Sequence, residues 1–361
     1  MRKILEVLST LEQGGTESVV LNYLNNMDAS LFQIDFLVIY GDKKGYYEDN
    51  LKKCGHKIFK LKNTPRKVFA YRKEVKKFFS LNEYDVVHIH AMNSLRYNIA
   101  KAAKKSGVKT TIYHSHTSHC DSHPFLHKIF KARLEKWCDV KISCGYLAGK
   151  YMYSGKFMVL NNAINVNRFV FDPQKREKLR EEYGIVESYV VGNVGRLVNV
   201  KNQIFLLNVA KILKERNEKF ILIIVGDGDN YGKLLEFTEK NGLSENVKII
   251  KPVGEKIAEY YSLFDVFAFP SLYEGLSVAL LETQANGVPI LASDRIPKEN
   301  AISKNFVFLP IDENEETYRK WADAIAEWKQ KRVDGANAVA AAGYEITREA
   351  KKLEKLYNGC L

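Results

Sequence analysis

FDVFAFPSLYEGLSVALLETQANGVP, residues 264–289, is the stretch on which the reading of the chain turns. Phe264–Pro270 is an apolar, strand-like run. It feeds a short loop that carries Glu274 and Gly275, and an apolar-periodic helix starts near Ser277. Gly287 and Pro289 form a helix stop. Glu274 therefore sits in the loop at the helix entrance, and Glu282 lies about two turns inside, at roughly 1.5 Å of rise per residue. Between them are the backbone N–H groups of Gly275, Leu276 and Ser277, at a helix N-terminus that can seat a phosphate. Carboxylates around a phosphate seat suit a ligand that is anionic and rich in hydroxyls, such as a nucleotide-sugar. The plain alternative is a strand, loop and helix with a solvated glutamate pair.

Outward from this stretch, strands and helices alternate. Strand-like runs fall at Ile4–Leu8, Ile34–Tyr40, Val86–His90, Thr110–His114, Val140–Ser143 and Phe157–Leu160. A second series follows at Tyr189–Val194, Phe220–Val225 and Val247–Ile250. Helical patterns lie between them, among others at Thr16–Asn26, Tyr97–Lys105, Gln174–Tyr183, Ile204–Arg216, Tyr231–Asn241, Lys256–Leu263 and Ile346–Tyr357. Such alternation predicts an α/β fold with parallel sheets covered by helices on both faces. With 361 residues, two domains are expected, with a boundary near Asn165–Pro173. Two Rossmann-like, doubly wound domains would face each other across a cleft, with ligands outside the C-terminal ends of the strands.

Composition narrows the classes. No 18-residue apolar run is present, and Met1–Glu6 leads straight into a strand without a signal-peptide core, so a cytoplasmic protein is expected. Five cysteines, with no C-x-x-C pair, point to reduced thiols. The net charge of +12 is uneven: residues 1–170 hold 28 Lys+Arg against 14 Asp+Glu, and the remainder is close to balanced. That asymmetry points to an anionic partner for the first half. Thr64–Phe79 reads as a basic amphipathic helix with Val68, Tyr71, Val75 and Phe78 as its apolar stripe, and Lys128, Lys131, Arg133 and Lys136 mark a second basic helix. Such faces suit an anionic membrane surface, although a core-packed helix with a solvated basic face reads the same way. A nucleic-acid partner would account for the charge but not for two α/β domains with a phosphate seat, so none is assigned.

Other fingerprints are missing. The first strand leads into Ser9–Gly15 without the G-x-G-x-x-G of a dinucleotide-binding turn, and Gly228–Lys233 is too short for a P-loop and lacks its Ser/Thr. Seven of the eight histidines lie between His88 and His127. His119, His123 and His127 have i,i+4 spacing, which a helix would align, but no cysteine or carboxylate completes a ligand pattern there. No metal is assigned, and histidines lining a cleft or binding acceptor phosphates are the preferred reading.

Pro270–Ser277 and Leu281–Pro289 together resemble the donor-site signature of the retaining glycosyltransferases of family 4. The whole chain resembles that family's B-type fold, and within it the enzymes that build capsular polysaccharide or exopolysaccharide. The resemblance implies an acceptor-side domain over residues 1–167, a nucleotide-sugar domain over 168–344, and a last helix in 345–361 that returns to the first domain. It implies that Arg196 and Lys201, in Gly195-Arg196-Leu197…Lys201, bind the donor diphosphate, although Asn202 stands where glycine is usual. It implies that Gly14-Gly15-Thr16-Glu17 faces the diphosphate and the acceptor. His116 is assigned to the donor sugar over its neighbour His114. Asn162-Ala163-Ile164-Asn165 matches the family's Asn-Gly-Ile-Asp only in part. Glu274 would contact the sugar hydroxyls and Glu282 the ribose. The expected reaction uses a UDP-sugar as co-substrate, no further cofactor, and a lipid-linked or saccharide acceptor. A nucleotide-sugar epimerase of similar fold is the rival enzyme.

Overall fold

The computed structural model describes residues 1–12, 14–117, 123–327 and 332–359. The chain divides into two compact units, Met1–Ala163 with Ile346–Leu361, and Ile164–Glu345. The first division falls four residues ahead of the expected 167/168.

The first unit is built on seven parallel strands: β1 (Arg2–Leu8), β2 (Phe32–Val38), β3 (Ile58–Lys60), β4 (Val86–Ala91), β5 (Thr110–Ser115), β6 (Val140–Ser143) and β7 (Met158–Val159). Their spatial order is β3-β2-β1-β4-β5-β6-β7. Its helices are α1 (Gly15–Leu24), α2 (Glu48–Lys53), α3 (Val68–Leu81), α4 (Tyr97–Lys105), α5 (Pro124–Trp137) and α6 (Tyr146–Met152). The second unit holds α7 (Pro173–Glu182), β8 (Tyr189–Val194), α8 (Gln203–Glu215), β9 (Phe220–Val225), α9 (Tyr231–Lys240) and β10 (Val247–Ile250). It continues with α10 (Ile257–Leu263), β11 (Val266–Phe269), α11 (Val278–Asn286), β12 (Ile290–Ser293), β13 (Phe306–Leu309), α12 (Glu315–Glu327) and α13 (Gly335–Val339). The last helix, α14 (Ile346–Tyr357), belongs to the first unit. There it packs on α1, and Glu349 accepts the Asn161 N–H at 3.1 Å.

The second sheet runs β10-β9-β8-β11-β12-β13, all parallel. Both units thus show the doubly wound order in which the chain returns past its first strand and then grows the sheet in the other direction. The strands are apolar because helices cover both faces: Ile223, Ile224, Phe267 and Phe269 are all buried. Trp321 of α12 is wholly buried on this sheet and donates its indole N–H to Pro310 O at 2.7 Å.

The basic helix differs from its reading. Residues 64–67 form a turn, and α3 starts only at Val68. Its inward face is Tyr71, Val75 and Phe79; Val68 is exposed, and so is Phe69. Of the expected stripe, Tyr71 and Val75 are buried and Phe78 is half-buried against the same core, so only Val68 departs from it. The histidine helix also starts late. His123 has left-handed backbone (φ 58°) just before Pro124, so α5 cannot align it with His127. His119 lies outside the described residues. His127 serves the fold: its Nδ1 accepts the Ser94 N–H at 3.1 Å, and its carbonyl accepts the Ser94 hydroxyl.

Gly287 ends α11 in the left-handed region (φ 81°), with its N–H on Gln284 O and Thr283 O. A Cβ there would lie 2.0 Å from the Val333 carbonyl oxygen. Left-handed backbone costs an ordinary residue about 1–2 kcal/mol, and the clash adds to it. Gly287→Ala is expected to destabilise the second unit by at least about 2 kcal/mol, read from chemical denaturation. An unchanged midpoint would show that the segment around Val333 yields without cost.

Candidate active site

The second sheet reverses its order between β8 and β11, and at that point loops from two neighbouring strands leave the same edge. Ligands of open α/β sheets bind at such a switch point. Both expected elements start there. The loop after β8 carries Arg196 and Lys201, and the loop after β11 carries Glu274. Leu272 N–H to Val200 O, at 2.8 Å, fastens one loop to the other.

Lys201 closes a short helical turn (Asn199–Lys201), and Asn202 follows in the left-handed region (φ 53°). Asparagine tolerates that conformation, so it fills the place where the family has glycine without strain elsewhere. The Lys201 ammonium donates to the Glu274 carboxylate and lies 5.1 Å from the centre of the Phe269 ring. Both charged side chains are largely buried, so the pair is poorly screened. Arg196 is exposed, and its guanidinium has no partner among the described residues.

Ser277 caps α11 through its backbone alone. Its N–H is already taken by the Asn300 side-chain oxygen at 3.0 Å, and the Asn300 amide donates to Gly275 O at 3.0 Å. This corrects the phosphate seat expected over Gly275, Leu276 and Ser277, because the Ser277 amide is not available. The first helical bond is Leu281 N–H to Ser277 O. The amides of Val278, Ala279 and Leu280 precede it and take over the role of open helix-start donors.

Glu282 lies one helical turn further in and accepts the Tyr261 hydroxyl at 2.8 Å. Burial is the main influence on its carboxyl, raising it from 4.5 to about 7, while the Tyr261 hydrogen bond and the Arg168 charge work the other way. Asn300, Tyr261 and Phe269 were not foreseen, since each reaches its partner from a distant part of the chain.

The remaining expected residues lie in the first unit. Gly14 caps α1 with extended backbone (φ −143°) and Gly15 opens it. A Cβ on Gly15 would meet nothing within 4 Å, so the backbone there borders open space. His116 follows β5 and is half-buried, whereas His114 is fully buried. His116 Nε2 is 2.8 Å from His90 Nδ1. Burial holds the His116 ring well below the usual imidazole range, so it is neutral.

Sequence comparison bears on this architecture. The family profile described as "Glycosyl transferases group 1" matches residues 175–345, and that of "Glycosyltransferase Family 4" matches residues 13–146. A relative named putative glycosyltransferase EpsF, from Bacillus subtilis, is 30% identical and spans 99% of this chain and 96% of its own length. The chain belongs to glycosyltransferase family 4. The Staphylococcus aureus capsular polysaccharide biosynthesis glycosyltransferase CapH is 28% identical over 90% of each chain. Among solved structures, Anabaena HepE in complex with UDP-glucose superposes with a TM-score of 0.79 at 17% identity, covering 99% of this chain and 100% of that one. That likeness is one of fold, the B-type glycosyltransferase fold. No helix among the described residues is long and apolar enough to cross a membrane.

Glu282 gives a pH test. Its folded value lies above its ordinary one, so its contribution to stability is complete below about pH 4.5 and is lost as pH rises through about 7. Glu282→Gln keeps the Tyr261 acceptor and removes the charge. The variant is expected to gain on the order of 2 kcal/mol over the parent between pH 5 and pH 8. Parallel pH dependences in thermal denaturation would show that Glu282 titrates normally.

Proposed function

We propose that the enzyme transfers a hexosyl unit from a nucleotide-sugar, UDP-linked by default, to a lipid-linked or saccharide acceptor, with retention at the anomeric carbon. The product belongs to a capsular polysaccharide or exopolysaccharide. The contact between Lys201 and Glu274, beside the first turn of α11, carries this reading. The names of the two bacterial relatives and the UDP-glucose of the Anabaena complex support it.

An ammonium has three protons. Lys201 spends one on Glu274, and the others suit a phosphate oxygen. Arg196, exposed and without a partner among the described residues, supplies a second cation. With the amides that open α11, these groups stabilise the charge that develops on the departing diphosphate. The second oxygen of Glu274 has no partner among the described residues and accepts from the sugar hydroxyls. Glu282 accepts from the ribose. The family resemblance assigns the donor sugar to His116, and the diphosphate and acceptor to Gly14–Gly15.

A carboxylate held by an ammonium is a weak nucleophile, so Glu274 is a poor candidate for a covalent glycosyl-enzyme. In the proposed step, the bond from the anomeric carbon to the phosphate oxygen breaks through an oxocarbenium-like state. The acceptor oxygen bonds on the same face, and its proton passes to the leaving phosphate. The chemistry needs no cofactor beyond the co-substrate.

A panel of nucleotide-sugars, read for thermal stabilisation and release of free nucleotide, tests the assignment. Lys201→Ala and Arg196→Ala are each expected to lower kcat by about 10²-fold or more. Interconversion of nucleotide-sugars without release of nucleotide would favour an epimerase, and unchanged kinetics would remove both cations from the site.

Attachment to the inner face of the membrane is part of the proposal. Exposed Phe69 on α3 and Phe125, Leu126 and Ile129 on α5 stand among lysines and arginines. Apolar side chains within a basic face are the pattern of interfacial helices. Co-sedimentation with vesicles is expected to rise with anionic lipid and fall with salt. Binding indifferent to both would count against it.

A further inference from the structure

Within the first sheet, alternate residues of adjacent strands place five titratable side chains on one face. Glu6 of β1 is in register with His88 of β4, and His90 of β4 is in register with His114 of β5. His116 follows two residues later, and Tyr357 of α14 completes the group. The ring centres of His88, His90, His114 and His116 lie 4.1–5.4 Å from their neighbours. Nothing in the proposed transfer uses this cluster apart from His116.

Hydrogen bookkeeping shows how it is arranged. His90 Nε2 lies 2.7 Å from the Glu6 carboxylate and therefore carries the proton. Its Nδ1 is then a lone pair, and it receives His116 Nε2–H at 2.8 Å. The Tyr357 hydroxyl donates to Glu6 and receives His88 Nδ1–H at 2.6 Å. His88 Nε2 is then also a lone pair, with His114 Nδ1 at 3.3 Å. Both chains end on nitrogens that are buried and have no partner among the described residues, His114 Nε2 and His116 Nδ1. His114 is 1% exposed and lines a cavity of about 10 Å³ together with Glu6, His88 and His90. That volume is the room one water needs.

We propose that His88, His90 and His114 bind one divalent transition-metal ion of the zinc class, with a water as fourth ligand. The ligand nitrogens of the three residues lie within 4.8 Å of one another. The 3.3 Å between His88 and His114 is close to the roughly 3.4 Å edge of a tetrahedron with about 2.05 Å metal–nitrogen bonds. Imidazoles suit zinc, copper and nickel, and the tetrahedral spacing favours zinc. The outer partners are already in place. Ligating histidines donate their second N–H to a carboxylate or other acceptor, as His90 does to Glu6 and His88 to Tyr357; His90 then ligates through Nδ1, and the His116 Nε2–H gives up that lone pair to the ion. Glu6, buried in the same layer, places a carboxyl group beside His88 and His90. The ion ties β1, β4, β5 and α14 together and takes no part in sugar transfer.

The test uses the full chain without a histidine tag, stripped by dialysis against a chelator and titrated with Co²⁺ and then Zn²⁺. The proposal expects one equivalent of Co²⁺ with intense visible absorption of the tetrahedral type, its displacement by Zn²⁺, and a higher Tm with Zn²⁺. The double variant His88→Gln, His114→Gln should lose the absorption, and His56→Gln should keep it. Tyr357→Phe removes an outer hydroxyl but no ligand, and should weaken Zn²⁺ binding about 10–100-fold. No stoichiometric binding by the parent protein overturns the proposal, whatever the variants do. So does binding that survives in the double variant.

Discussion

Lys201 and Glu274 hold together two loops that leave the second sheet from adjacent strands, and the candidate site depends on that contact. The two residues are 73 positions apart in the chain. They meet because β8 and β11 are neighbours, which in turn follows from the reversal of strand order at that point. Parallel pairing forces every strand to end at the same edge, so catalytic side chains need only occupy the loops beyond it. A buried ion pair is weak support for stability, because desolvation offsets much of the attraction. Its value here is geometric. Each partner fixes where the other points.

The start of α11 obeys the same logic. Asn300 bonds to both Ser277 N–H and Gly275 O, so one side chain sets the path of the loop into the helix. That constraint takes one amide out of use and leaves the next three ahead of the first helical bond. Gly287 fixes the other end of the helix. Between these two stops, Glu282 can stand only on the face of α11 that Tyr261 touches.

Much of this was legible in the sequence, and for specific reasons. Long apolar runs such as Phe220–Val225 and amphipathic helices such as Tyr97–Lys105 were placed at their observed limits, because periodicity is strong where both faces or one stripe are buried. The short elements α2, β3 and α13 were not seen, since three to six residues give no period to detect. Of the site, the charged residues in motif positions could be named. Asn300 and Tyr261 could not, because a side chain that crosses from another loop leaves no local signal. Val68 departs from the stripe because the pattern predicts a helix from Thr64, whereas residues 64–67 turn before α3 begins.

The histidines show how a correct observation can be given the wrong period. Their concentration between residues 88 and 127 was evident, and spacing of four suggested a helix. The informative spacing was two, in His88-x-His90 and His114-x-His116, each at the end of an apolar strand. A period of two on neighbouring parallel strands places all four rings on one face. There they meet Glu6, which has the same alternation on β1. A sheet buried on both sides gives polar residues no solvent, so every such residue must find a partner within its own layer. Two nitrogens of this layer, on His114 and His116, find none among the described residues.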